Sequence, residues 1–253
     1  MKISKLLYSD VPKFLSAIKA FKQKKTVKFG KIKFNLITDN WITKYRARTF
    51  ATKEPELLNW IDTELHSKDN FFDIGSNIGI YSIYPALRNK GANIYSFEPE
   101  YANLNLIKNN IIINSLSKKI NLYSFAFGEK DEISKLHIQD FTPGSALHTV
   151  EKKNISKTKT GKKIIWNEGI FVITLDRFVK ETGIIPNLIK IDVDGNELNV
   201  LKGGKITLKN KKLRSILIEM DSKKDRNKII KILKLSGFRL SLKAQYNEIW
   251  RRA

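Results

Sequence analysis

The stretch NFFDIGSNIGIYS, residues 70–82, decides the fold. Phe71, Phe72 and Ile74 form a short apolar run around Asp73. Two glycines, Gly75 and Gly79, follow four residues apart, and an apolar-periodic run from Ile78 to Asn89 comes next. The spacing predicts a strand that enters a tight turn and leaves as a helix, the opening half of a βαβ unit. Glycine suits such a turn because the backbone can curve sharply and approach a ligand with no Cβ in the way.

The alternation continues outward from this point. NIYSFE (93–98) reads as a second strand, Tyr101 to Asn114 as a second helix, and INLYSFAFG (120–128) as a third strand. PNLIKIDVD (186–194) is a fourth strand with a helix from Glu197, and LRSILIEMD (213–221) a fifth. A Lys-rich helix from Ser222 to Ser236 and two closing strands, GFRLSLK and NEIWRR, complete the chain. Short apolar strands alternating with helices predict an α/β fold with a doubly wound, mostly parallel, seven-stranded sheet. The last two strands pair as an antiparallel hairpin.

Residues 1–53 read as a small N-terminal α/β cap. VPKFLSAIKAFKQKK (11–25) has helical spacing, and KFGKIKFNLIT (28–38) alternates like two strands around Gly30. The main domain spans 54–253 and opens with a helix from Glu54 to His66, Pro55 in its first turn. Residues 139–169 are polar, with six lysines between positions 152 and 163, and are long for an irregular connection. Placed after the third strand of such a sheet, they are expected to be a lid or an insertion at the ligand crevice.

Composition narrows the function. With 42% hydrophobic residues the 253-residue chain is a foldable globular protein. No uncharged apolar run approaches the roughly 18 to 20 residues that cross a bilayer. The first residues lack an apolar signal region, so a soluble, cytoplasmic protein is expected. Zero cysteines and only three histidines (His66, His137, His148) exclude disulfides and thiolate zinc sites. The net charge of +22 comes from 38 Lys against 9 Arg, beside 34 Ile and 21 Asn, the pattern an AT-rich genome imposes. No arginine and aromatic stripe of a nucleic-acid reader stands out, so nucleic acid is not the expected partner. A small-molecule or glycan acceptor is. Peripheral contact with an anionic membrane is compatible with the charge, and nothing in the sequence bears on oligomeric state.

Glu98 ends the second strand 19 residues after Gly79, where a carboxylate can accept two hydrogen bonds from a ribose diol. A dinucleotide fold would place glycine where Asn77 stands. Asp73, entering the turn, would repel a pyrophosphate but suits a ligand bearing an ammonium and a sulfonium. S-adenosyl-L-methionine fits and NAD does not. Ser76 and Pro99 flank the turn and the ribose position in the same cofactor-binding set, and Phe125-Ala126 close the third strand where an adenine would lie.

These residues resemble the FkbM-type methyltransferases, within the Rossmann-like S-adenosylmethionine-dependent class. The likeness covers roughly residues 54–252. It rests on FFDIGSNIGIYS, on SFEPE followed by a helix ending in Asn110 and Asn114, on AFGEKDE, on Gly144-Ser145, on ITLDRF, and on LIKIDVDGNELNVLKGG before ILIEM. The resemblance implies O-methylation of a hydroxyl on a sugar, glycan or related natural product. It places Asp73, Gly75, Asn77 and Gly79 around the methionine end, Glu98 on the ribose, Ala126 near adenine, and Asp192 facing methyl donor and acceptor. Asp194 stands where the family more often has Glu.

A sugar hydroxyl needs somewhere to send its proton. Candidate bases are Asp192, Asp194 and His148, with Lys190 positioned to pair with a carboxylate. Asp192 and Glu219 end adjacent strands and could hold a divalent cation. No third ligand is legible, so no metal is assigned. The alternatives are an RNA or protein methyltransferase exploiting the basic surface, and a partner-binding module that kept the fold. The intact Asp73, Gly75, Gly79 and Glu98 argue against the latter.

Overall fold

The central strands are apolar runs with both faces covered. All four residues of LIKI at 188–191 are buried, as are Phe71 to Ile74. The computed structural model describes residues 23–157, 161–220 and 225–253. The described residues begin with the hairpin β1 (Lys24–Phe29) and β2 (Ile32–Ile37), then α1 (Trp41–Lys53) and α2 (Pro55–Glu64). The core alternation follows: β3 (Asn70–Ile74), α3 (Ile80–Arg88), β4 (Asn93–Phe97), α4 (Tyr101–Ile113) and β5 (Ile120–Tyr123). Next come β6 (Ala126–Phe127), β7 (Glu132–Ile138), β8 (Thr149–Val150), β9 (Trp166–Ile173) and α5 (Leu175–Thr182). The chain closes with β10 (Leu188–Ile191), α6 (Glu197–Lys202), β11 (Ser215–Glu219), α7 (Arg226–Leu235), β12 (Phe238–Lys243) and β13 (Asn247–Arg252).

The main sheet has seven strands in the order β12-β13-β11-β10-β3-β4-β5. Five are mutually parallel, and β13 runs antiparallel to both β11 and β12, as expected from the sequence. The strand order reverses between β3 and β10. A crevice opens outside the carboxyl ends of strands at such a switch point. The register pairs Lys190 with Asp73 and Ile191 with Ile74, which sets the two strand ends side by side there.

One face of the sheet carries α2, α3, α4 and the N-terminal hairpin in a single apolar cluster. Val27, Phe34 and Leu36 pack with Phe50, Leu57 and Tyr84. Phe50 meets Phe34 and Tyr84 edge-on at 5.3 and 5.5 Å between centroids. The hairpin is also held by hydrogen bonds from α4: Asn110 Oδ1 accepts from Ile37 N, and Asn114 bonds both backbone groups of Asn35. The two asparagines of the family pattern thus dock the cap onto the core.

The structure corrects several expectations. Residues 120–128 are two strands: the chain bends after Tyr123, Phe125 packs against Phe97, Tyr123 and Phe127, and β6 leaves for a second sheet of order β6-β9-β7-β8. The polar stretch 139–169 ends inside β9, and β7, β9 and α5 carried no sequence assignment. Nor did α1. The helix expected within 11–25 falls largely outside the described residues, and the Lys-rich helix is described from Arg226. No helix among the described residues is long and apolar enough to cross a membrane.

The opposite face of the sheet is built around Phe178 of α5, which packs on Phe72, Phe97 and Tyr123 and on Phe125 and Phe127 beside the crevice. Truncating a buried aromatic removes its contacts and leaves a cavity. Phe178→Ala is expected to lower stability by about 3 to 5 kcal/mol, read by urea denaturation. A loss below about 1 kcal/mol would show that α5 is not part of the cooperative core.

Candidate active site

Lys190 stands at the centre of the switch point. Its Nζ lies 3.1 Å from Asp73 Oδ1 and 3.4 Å from Asp192 Oδ2, and it donates to Gly75 O at 3.2 Å. Burial works against its charge, but Asp73 and Asp192 outweigh that and hold it protonated. Asp73 is fully buried, and its second oxygen accepts from Ser82 Oγ at 2.5 Å. Asp73 therefore faces Lys190 and not the crevice, contrary to its expected place beside a ligand's ammonium.

The two glycines serve different ends. At Gly75 (φ +82°) a Cβ would lie 1.8 Å from Asp192 O, so the turn presses directly on the end of β10. At Gly79 (φ +78°) a Cβ would meet Ile107 at 2.4 Å; this glycine seats α3 against α4 and does not line the crevice. Ser76 is buried, with its hydroxyl donating to Phe97 O at 3.1 Å.

Between the glycines, Asn77 N donates to Glu98 Oε2 at 2.8 Å, and Glu100 N donates to Glu98 Oε1 at 3.0 Å. Burial raises the Glu98 pKa to about 7 despite these bonds. Asn77 Nδ2 donates to Ser145 O at 2.7 Å, which fixes the amide so that Oδ1 is buried without a partner.

The segment 139–148 is folded over the crevice and fastened from several sides. Gly144 N donates to Asn103 Oδ1, Arg46 Nε to Gly144 O, and Leu147 N to Asp194 Oδ2. Gly144-Ser145, a pair singled out by resemblance, is where these fastenings converge. His148 is buried, 3.1 Å from Ser145 Oγ, and burial lowers its pKa, so it is neutral at pH 7.

Two adjoining chambers result. The first, about 1060 Å³ with the solvent at its mouth, is lined by Gly75, Asn77, Glu98, Pro99, Ala126, His148, Asp192 and Asp194 of the expected residues. Phe125, Phe127, Leu136 and Val150 give it an apolar end. The second, about 1100 Å³ with the solvent at its mouth, lies under α1 and is lined by Ser76, Tyr81 and Lys190 together with Trp41, Tyr45 and Thr49. Arg46, Lys53, Gly75, Asn77 and Asp192 line both. The sequence reading missed the α1 residues. Their signal was the spacing of Ile42, Arg46, Thr49 and Lys53 at four, three and four, one face of a helix.

Three carboxylates meet at the floor. One oxygen each of Asp192, Asp194 and Glu219 lies within 4.8 Å of the others, so Asp194 supplies the third group that the sequence did not reveal. This geometry permits a divalent cation without requiring one. Burial would raise Asp192, but Lys190 and a hydrogen bond with Glu219 bring it below the usual carboxylate range. Asp194 is raised to about 7 by burial and by the Asp192 charge. Glu197, from the same motif, accepts from Val193 N and Gly195 N and holds the turn in shape.

Comparison with known proteins identifies the family. The family model described as the methyltransferase FkbM domain matches residues 73–240. "Methyltransferase 1" of Beauveria bassiana (strain ARSEF 2860) is 26% identical over 165 residues, 61% of this chain, and the chain spans 66% of that relative's length. Among solved structures, the precorrin-6y C5,15-methyltransferase of Geobacter metallireducens GS-15 is 12% identical, with 80% of this chain and 90% of that one covered at a TM-score of 0.49. The N-terminal domain of human METTL16 in complex with SAH is 16% identical, with 79% and 68% covered at a TM-score of 0.45.

Removing one partner of a buried ion pair strands the other's charge. Lys190→Met is expected to cost about 3 to 5 kcal/mol in urea denaturation at pH 7. The double variant Lys190→Met/Asp73→Asn should recover part of that loss. Equal losses in the two proteins would show that the Lys190–Asp73 pair does not carry the effect.

Proposed function

The chain belongs to the FkbM methyltransferase family, and from that premise we propose that it is an S-adenosylmethionine-dependent O-methyltransferase acting on a hydroxyl of a sugar, glycan or related natural product. The observation that carries this reading is the meeting of the two chambers at Asp192. One chamber has the donor set of an adenosyl ligand and the other an aromatic mouth.

The residues present fit the cofactor. Each Glu98 oxygen accepts one backbone N–H and retains a lone pair for a ribose hydroxyl. The apolar end with Phe125 and Ala126 suits a purine, and the unpartnered Asn77 Oδ1 offers an acceptor to an ammonium. S-adenosylmethionine, when bound, supplies a methyl group already activated on a sulfonium. What remains for the protein is to align the acceptor oxygen, exclude water and take up a proton. The 139–148 segment covers the site. Asp192, held ionised by Lys190 at the junction, is the group placed to accept the hydroxyl proton.

The rim of the second chamber favours a carbohydrate-like acceptor. Trp41 and Tyr45, one helical turn apart on α1, are 71% and 49% exposed although both are large aromatics. An exposed aromatic face packs well against the C–H face of a sugar ring.

Titration calorimetry with S-adenosylmethionine, S-adenosylhomocysteine and NAD tests the cofactor, and a methyl-transfer screen on sugars with RNA as comparison tests the acceptor. Binding of NAD alone, or methylation of RNA alone, would overturn the reading. Glu98→Ala is expected to weaken adenosyl binding by about 1.5 to 3 kcal/mol, the scale of charged hydrogen bonds. A proton on Glu98 competes with the diol for the same oxygens. Affinity should therefore be full above pH 7 and fall as pH drops below it, by up to about tenfold per unit, with a flatter profile in Glu98→Gln. Asp192→Asn should retain cofactor binding and lose turnover; turnover at the parent rate would remove Asp192 from the chemistry.

A further inference from the structure

An amino-acid group at the methionine end of the cofactor carries two opposite charges, and each needs a partner. Asp73, the acidic residue that the sequence offers to the ammonium, is consumed by Lys190 and closed off from both chambers. In the section the chambers share, Asn77 Oδ1 is the buried acceptor left without a donor.

The same section holds two cations, Arg46 and Lys53. Lys53 Nζ is already 2.6 Å from Glu54 Oε1. Lys190, at the edge of the second chamber, is saturated by two carboxylates and a carbonyl. Arg46 differs from both. Its Nε donates to Gly144 O at 2.9 Å, which fixes the guanidinium, while its two terminal nitrogens make no hydrogen bond or ion pair with the described residues. A guanidinium anchored through Nε presents those nitrogens as a rigid fork for a carboxylate.

We infer that Arg46 binds the carboxylate of the cofactor's amino-acid group, with Asn77 Oδ1 taking the ammonium. The unpaired donors and the unpaired acceptor both line the section that the chambers share, a pairing that suits a zwitterion and not a simple anion. The inference rests on the cofactor reading above and extends it to α1, a helix outside the 73–240 family match. It also gives the Arg46–Gly144 bond a use: the covering segment and the cofactor's tail would be held by the same side chain.

The test uses the full chain and two ligands that share the adenosine but differ at the tail, S-adenosylhomocysteine and 5′-methylthioadenosine, which lacks the amino-acid group. Calorimetry on the parent, Arg46→Gln and Arg46→Lys is expected to show S-adenosylhomocysteine weakened about ten- to a hundredfold by Arg46→Gln, and less by Arg46→Lys. Binding of 5′-methylthioadenosine should be unchanged, which also shows that the variants are folded. Arg46→Gln that weakens both ligands equally, or neither, overturns the assignment. So does a parent protein that binds the two with equal affinity, although the cofactor reading would then stand. A parent that binds neither would remove the cofactor reading, and this inference with it.

Discussion

The arrangement depends on one buried ammonium. Lys190 projects from the parallel strand next to β3, so the register that pairs it with Asp73 also brings it to the Gly75 carbonyl and the Asp192 carboxylate. A lone charge at that depth would cost several kcal/mol, and so would Asp73 without it. Together with the Ser82 hydroxyl they form a neutralised unit that can be placed under a ligand site. The unit ties the first strand's turn to the fourth strand's end across the switch point. It also keeps Asp192 ionised while burial pushes the neighbouring Asp194 upward.

Several polar and glycine residues of the sequence motifs prove to be scaffolding for this site. Asn110 and Asn114 hold β2, Glu197 closes the turn that presents Asp192 and Asp194, and Gly79 admits Ile107. The chain between 23 and 53 shares its apolar core with the main sheet and contributes Trp41, Arg46 and Lys53 to the chambers. The site is therefore assembled from the family-matched segment together with α1.

The main sheet was legible because its strands are short, nearly unbroken apolar runs separated by turn residues, and a parallel sheet covered on both faces requires that pattern. The second sheet was not. β9 buries only Ile170 and Val172 and exposes Phe171 between them, so neither a continuous apolar run nor a polar solvent face marks it. The break after Tyr123 is invisible to periodicity because Phe125 is as apolar as its neighbours. At the site, Gly75 and Asn77 could be read from one local turn and Glu98 from its place at the end of the next strand, whereas Asp73 could not be placed correctly without knowing that Lys190 pairs with it through the sheet register. Arg46, which the sequence reading did not name, enters through a tertiary contact that spans 98 residues.

Three of the carboxylates that line the cleft, Glu98, Asp194 and Asp192, differ in the base strength they offer. Glu98 and Asp194 sit near pH 7, but one is engaged by two backbone N–H groups and the other is tied to Leu147 N. Asp192, the carboxylate at the junction, is the weakest base of the three. A weak base is sufficient for methyl transfer from a sulfonium. On the proposed reading, the acceptor oxygen would become strongly acidic as its bond to the methyl group formed, and its proton could pass downhill to a carboxylate unable to remove it beforehand. A stronger base would bring no matching advantage, and a neutral Asp192 would leave Lys190 with less compensation. On that reading the depressed carboxylate would take up the proton late, leaving alignment and exclusion of water as the protein's main contribution.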